Sequence, residues 1–330
     1  MCSKAACARP GGKVRITAQL IDTVSGAHVW ADRFEGALED VFSFQDEVTA
    51  KVVMAIAPRV ERAEIERARR RSSSDINAYD CYLRGQACFH PATANSTKEA
   101  LHLFTQATAL DPDYAAAYAM TMWCHANSVA YGLVEDIGRR RSEVTRLRGI
   151  VARVGQEDGV APAYAGLAVA YVLRDIPAAK QLIDRAVELN PNLAVAWGNS
   201  GWINVWLGHL DIALQHIGRA QRLDPAGPQV ARGWGAMAHA YFFLGRYEEA
   251  LAVAEQMLRH SPDQHPGLRM GAACAALAGL SDAAHRLAAR LQAVDPAFRF
   301  SRLAEYLGPY QKSEFLEKFA EGLRKAGMPE

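Results

Sequence analysis

Cysteine, histidine and tryptophan are the side chains of this sequence whose type and spacing could support chemistry. Cys81 and Cys88 lie two helical turns apart with His90 close by, which is compatible with a metal site. The competing reading is small apolar residues buried in a helical array, the usual fate of a free thiol. Cys2, Cys7, Cys124 and Cys274 bring the cysteines to six, none in a Cys-x-x-Cys pair, too sparse in 330 residues for a disulfide framework. His209 and His216 are seven residues apart, and without carboxylate or thiolate company they are expected to face solvent. Asn95-Ser96-Thr97 has the form of a glycosylation sequon, meaningful only in a secreted chain, and reads here as a polar loop. Phosphate-cradling glycine loops, His-Glu-x-x-His and Gly-x-Ser-x-Gly are absent, and Gly11-Gly12-Lys13 is a fragment of none of them. No catalytic residue, cofactor or metal is expected, so the chain reads as a non-enzyme. Trp202 and Trp206, one turn apart, share a helix face. Aromatics with arginines nearby have the composition of a binding hot spot, and packing of the same rings between helices is the alternative.

The elements that carry these residues repeat. Segment endings Leu-Asn-Pro, Leu-Asp-Pro, His-Ser-Pro and Val-Asp-Pro place Pro191, Pro225, Pro262 and Pro296 at spacings of 34, 37 and 34 residues. A fixed period of this size means stacked copies of one supersecondary unit. Each unit reads as two helices around a glycine: Trp197, Gly201, Gly208, Ala213, Ile217 and Ala220 in one, Trp234, Ala238, Tyr241, Gly245, Ala250 and Ala254 in the next, then Leu268, Ala272, Gly279, Ala284 and Ala288. The glycine stops the first helix, and the proline cannot continue the second. Tyr164, Ala168, Ala179, Ile183 and Ala186 mark the unit before, and Ala100, Phe104, Ala107 and Pro112 the first. The unit between is degenerate, with extra length around residues 131–141. Such units bury their apolar faces only by stacking, and the ends of the stack must be closed. The apolar residues after Pro296 are expected to form capping helices over 297–330.

This pattern resembles the tetratricopeptide repeat family. Asn204 and Ala275 stand where a second aromatic is usual, and Ala254 and Ala288 where a large residue is. The resemblance implies a mainly α fold, an α-solenoid of helix pairs in a right-handed superhelix, with about six units over 77–296. It also implies a protein-interaction scaffold whose first helices line a concave groove. Carried over, the groove positions are Val169, Val172, Leu173, Asn199, Trp202, Val205, Trp206, Arg232, His239, Phe242, Phe243 and Arg269. Carboxylate-gripping residues are sparse there, so the expected partner is an apolar or amphipathic peptide or helix. The chain's own Phe44 to Ile56 is one candidate occupant.

Residues 13–57 differ from the array. Val14, Ile16, Ala18 and Leu20 alternate with polar residues, and a second run from Ala27 to Phe34 completes a β-hairpin. Leu38, Phe42, Phe44, Val48, Val52 and Ile56 supply a helix face to cover it. Residues 1–12 are expected to be disordered, leaving an open strand edge through which a homodimer could form. The stretch Val14–Asp22 through Trp30–Phe34 to Gln45-Asp46-Glu47 resembles the end of a small α/β domain of the TolB and FlgO type, and the closing Gly322–Glu330 resembles the tail of bacterial class III adenylate cyclase-associated chains. In such regulators the preceding region is a cyclase catalytic or winged-helix DNA-binding domain. The resemblance therefore implies a truncated regulatory portion without its catalytic part. A charged helical linker spans 58–76, with Glu66 ahead of Arg69 and Arg70. Half of the residues are hydrophobic (50%) and the formal net charge is +1, which gives no field to steer nucleic acid. No apolar run is long enough to span a bilayer and no secretion signal is visible, so a cytoplasmic protein partner is expected.

Overall fold

The structure, a computed structural model, describes residues 2–8, 13–21, 28–37, 52, 56, 60, 64–65, 77–88, 94–130, 136–225 and 228–330. The chain divides into two compact units, Met1–Ser72 and Ser73–Glu330.

In the first unit, β1 (Cys2–Ala8), β2 (Lys13–Ile21) and β3 (His28–Ala37) form an antiparallel sheet in the order β1-β2-β3. The alternation puts alternate residues of β2 on one face. Ile16 pairs with Phe34 and Leu20 with Trp30 across the ladder. Ala18, Leu20, Trp30 and Phe34 make a small core, with Ile16, Val52, Ile56 and Val60 packed against it. On the other face Arg15 pairs with Glu35 at 2.7 Å.

Two expectations are corrected here. Within the start expected to be disordered, Cys2–Ala8 is a strand that pairs with β2 from Cys2↔Ile21 to Ala8↔Arg15, while residues 1 and 9–12 lie outside the described residues. The edge of β2 expected to be open is therefore filled. An unpaired strand edge is satisfied by any extended segment that reaches it. Small residues such as Ala5 and Ala6 gave no alternation to read. Of the expected covering helix, Leu38, Phe42, Phe44 and Val48 lie outside the described residues, as does most of the 58–76 linker. Val52 and Ile56 are engaged on the sheet.

The second unit contains, among the described residues, six helix pairs. These are α1 (Ala78–Cys88) with α2 (Ala94–Leu110), α3 (Ala115–Ala130) with α4 (Ile137–Val154), α5 (Val160–Ala168) with α6 (Ile176–Leu189), α7 (Ala194–Leu207) with α8 (Leu210–Leu223), α9 (Pro228–Phe243) with α10 (Tyr247–His260), and α11 (His265–Leu277) with α12 (Ser281–Val294). A one-turn helix, α13 (Leu303–Tyr306), and a longer one, α14 (Ser313–Lys325), follow.

Close approach of paired helices explains the recurrent small residues. A Cβ at Gly201 would lie 2.6 Å from Ile217, and at Gly85 2.6 Å from Phe104, so bulk on one helix fills the space that glycine leaves on the other. Gly208 then turns the chain at φ 82°, where its amide and that of His209 return to the carbonyls of Val205 and Asn204.

The degenerate second unit is a full pair, its α4 capped by the Asp136 carboxylate accepting from the Arg139 amide. The third unit departs from its neighbours. A π-helical turn, Val169–Leu173, continues α5. Gly166 meets Ile183 of the paired helix.

Candidate functional site

The first helices α3, α5, α7, α9 and α11 line one side of the array, and residues 298–328 run back along that side. The sequence predicts capping helices for this stretch. The segment closes the end at α11, where a Cβ on Gly322 would lie 2.9 Å from Ala273. It then extends across the groove as far as the π turn of α5. The array curls enough that Arg269 of α11 donates through Nη2 to the Ala130 carbonyl at the end of α3, 3.0 Å away.

The occupant has two parts. The first is α14, amphipathic by its spacing: Phe315, Phe319, Gly322 and Leu323 are buried, while Glu314, Glu317, Glu321, Arg324 and Lys325 face outward. Phe315 stacks on Phe243 with centroids 4.0 Å apart and planes 6° from parallel. Phe319 stacks on the His239 ring at 5.8 Å and meets Phe242 edge-on at 5.3 Å. The second part, 303–311, is held by polar contacts. The Tyr171 hydroxyl donates to the Tyr306 carbonyl, Arg174 donates to the carbonyls of Leu307 (2.5 Å) and Ala304 (2.8 Å), and the Gln311 amide donates to the Trp206 carbonyl (2.8 Å). Gly308 lies against the Trp206 indole, where a Cβ would come within 2.1 Å of Nε1.

The twelve residues expected in the groove therefore fall into separate groups. Trp206, His239, Phe242 and Phe243 touch the occupant, and Arg269 lies over the rings of Tyr306 (5.2 Å) and Phe298 (5.8 Å). Val169, Val172 and Val205 are buried and Leu173 is half-buried. The Asn199 amide is spent on the Ala163 carbonyl between α7 and α5, at 2.9 Å. Trp202 packs between Trp206 and His239. Arg232 lies in α9, with its side chain outside the described residues. The open hollow expected from the repeats is thus occupied by the chain's own C-terminal segment; of the other expected occupant, residues 44–56, all but Val52 and Ile56 lie outside the described residues. The physical reason is that uncovered Phe242, Phe243 and Trp206 would leave a large apolar surface in water.

Tyr171 and Arg174 were missed by counting along the repeat. Gly166 precedes Ala179 by 13 residues, whereas Gly201 precedes Ala213 by 12. The π turn absorbs the extra residue and rotates Tyr171 and Arg174 toward the occupant. That spacing was the available signal.

Burial sets the electrostatics. His239, fully enclosed, has its pKa lowered to about 4, mainly by loss of hydration and against the opposing bond from Nδ1 to the Gly235 carbonyl (2.7 Å). Its ring is therefore neutral where it stacks on Phe319. Burial also lowers the Arg174 guanidinium and raises the Tyr171 and Tyr310 hydroxyls. A cleft of about 590 Å³ lies beside the segment, lined by Arg141, Arg174, Lys312 and Leu316 among others. Arg302, also in its lining, is engaged with Glu305 at 2.6 Å.

The other candidate residues serve packing. His216 is not solvent-facing: its Nδ1 lies 2.9 Å from the Ser200 hydroxyl and its ring meets Trp197 edge-on, whereas His209 is exposed. Cys81 is buried, Cys88 half-buried, and His90 lies outside the described residues. Among the described residues no three of His, Cys, Asp and Glu come together as a metal site would require, and no helix is long and apolar enough to cross a membrane.

Comparison with known proteins agrees with this architecture. Residues 231–274 match the family model of the tetratricopeptide repeat. A 111-residue stretch is 38% identical to putative adenylate cyclase 3 of Rhizobium meliloti (strain 1021), covering 34% of this chain and 19% of that protein. An 89-residue stretch is 29% identical to small glutamine-rich tetratricopeptide repeat-containing protein 2 of Mycosarcoma maydis, covering 27% of this chain and 24% of that one. The matches thus span about a fifth to a quarter of these relatives' lengths, 19% and 24%. Among solved structures, the APC/C hetero-tetramer Cut9-Hcn1 superposes with a TM-score of 0.53 at 15% identity, covering 87% of this chain and 49% of that chain. At that identity the likeness shows the fold alone, a solenoid of stacked helix pairs.

Proposed function

We propose that this tetratricopeptide-repeat chain is a non-catalytic interaction module whose groove captures an amphipathic helix presenting two aromatic residues one turn apart. One observation carries the reading: the groove holds a helix of that description, α14, through Phe315 and Phe319 against Phe243, His239 and Phe242. Main-chain geometry and side-chain pockets that fit one such helix fit another of the same pattern in trans. The cleft beside it, with Arg141 and Lys312 and with Glu305 already engaged by Arg302, favours acidic residues flanking the partner helix. The test is a dye-labelled peptide of residues 311–328 titrated into the full chain and read by fluorescence anisotropy. Saturable binding is expected, lost when Phe315 and Phe319 of the peptide are both replaced by alanine. Identical behaviour of the two peptides would remove the groove from consideration.

A second reading takes its support from the similarity to a putative adenylate cyclase. The chain would be the regulatory portion of a class III cyclase-type or winged-helix signalling protein, acting in the cytoplasm on a catalytic or DNA-binding part outside these residues. Purified chain supplied with ATP is expected to give no cyclic nucleotide. Turnover would overturn the non-catalytic reading.

A further inference from the structure

We infer that the C-terminal segment is a built-in competitor for the groove and that Arg174 is the latch that holds it there; this rests on the reading of the groove given above. In three other units the turn between paired helices is a glycine at positive φ: Gly208 at 82°, Gly245 at 78° and Gly279 at 77°. A side chain is unwelcome in that backbone region because its Cβ crowds the neighbouring carbonyl. At the same turn of the third unit stands Arg174, at φ 62° and ψ 19°, among the described residues the one non-glycine at positive φ. Glycine would make this turn at lower cost. Turn-making therefore does not explain the arginine.

Its side chain does. Nη1 and Nη2 reach the carbonyls of Leu307 and Ala304, residues 133 and 130 positions away in the chain. These are carbonyls in and just after the short helix α13, where a cation is favoured. The preceding π turn delivers the Tyr171 hydroxyl to the intervening Tyr306 carbonyl. Single π turns inside α-helices recur at functional positions. Two residues of one irregular turn and its cap, three positions apart, thus grip three carbonyls in and just after α13.

The grip and the aromatic floor are spatially separate. Phe315 and Phe319 of α14 pack on α9, whereas Arg174 and Tyr171 act four helices earlier in the chain, at the end of α5. A partner helix offering only the aromatic pair must displace a segment that is held at both places. The latch sets how readily the groove opens without taking part in what the groove recognises.

The test uses the full chain carrying Arg174→Gly, which installs the residue that the other turns use. Hydrogen exchange by mass spectrometry and anisotropy with the labelled 311–328 peptide are read on wild type and variant. Exchange in 303–325 is expected to rise about tenfold, with α7 and α8 unchanged, as local opening without global unfolding requires. Peptide affinity should rise by about the same factor, because the opening is linked to binding. Unchanged exchange in 303–325 would overturn the latch whatever the peptide does. Exchange rising throughout the array would equally overturn it, since Arg174 would then be a structural turn residue. Faster exchange in 303–325 with no peptide bound to either protein would leave the latch standing and sink the helix-capture reading. A second variant, Gly308→Ala, drives a Cβ into the Trp206 ring and should raise exchange in 303–325 from the other side of the segment; if it does not, the segment is not held as described.

Discussion

His239 links groove chemistry to solution conditions. Burial holds its folded-state pKa at about 4, below the ordinary 6.5. His125 is likewise lowered to about 4, first by burial and then by Arg140, whose guanidinium lies 2.9 Å from Nδ1. Both folded values are depressed bases, so as pH falls the unfolded chain takes up the protons first. Stability is then complete above about 6.5 and is lost progressively between 6.5 and 4. For His239 the full loss is on the order of 3 kcal/mol, from the size of the shift. Urea unfolding midpoints at pH 7 and pH 4.5 should show the decline, and His239→Phe should flatten it. An equal slope in that variant would remove His239 as its source.

Helix pairs were legible in the sequence because the physics that builds them is local. A small residue facing a bulky one, a glycine at the turn and a proline at the end each constrain a few neighbouring atoms, and they recur with the repeat. Gly201 shows how tight that fit is, its missing Cβ standing 2.6 Å from Ile217. Gly201→Leu is therefore expected to overpack the α7/α8 contact and destabilise the array by about 1–3 kcal/mol. Thermal unfolding followed by far-UV circular dichroism would measure it. The third unit was misread by the same reasoning. One extra residue between Gly166 and Ala179 can be placed as a longer loop or as a π turn, and spacing alone does not choose. Packing chose the π turn, and Tyr171 and Arg174, which lie outside the counted positions, meet the occupant. At the N-terminus the strand Cys2–Ala8 was missed because its small residues carry no alternation, and its pairing with β2 is non-local.

At the scale of the molecule, the groove is covered because its floor is too apolar to stand open. Removing residues 298–330 would uncover Trp206, Phe242 and Phe243, three side chains that are all buried in the intact array. Such a truncated chain is expected to bind a hydrophobic dye strongly and to self-associate in analytical ultracentrifugation, while the intact chain does neither. A truncated form that stayed monomeric and dye-silent would mean that the floor closes without the segment. The sequence by itself determined the repeat, the paired helices, the helix faces that turn inward and the aromatic character of the groove, because each follows from residues within one period of one another. Only the tertiary structure decided what fills the groove. The curl that brings Arg269 back to Ala130, and the reach of Arg174 to Leu307, join residues more than a hundred positions apart. Contacts at that separation depend on how small angles between successive units add up, a quantity that no single repeat encodes in its own residues.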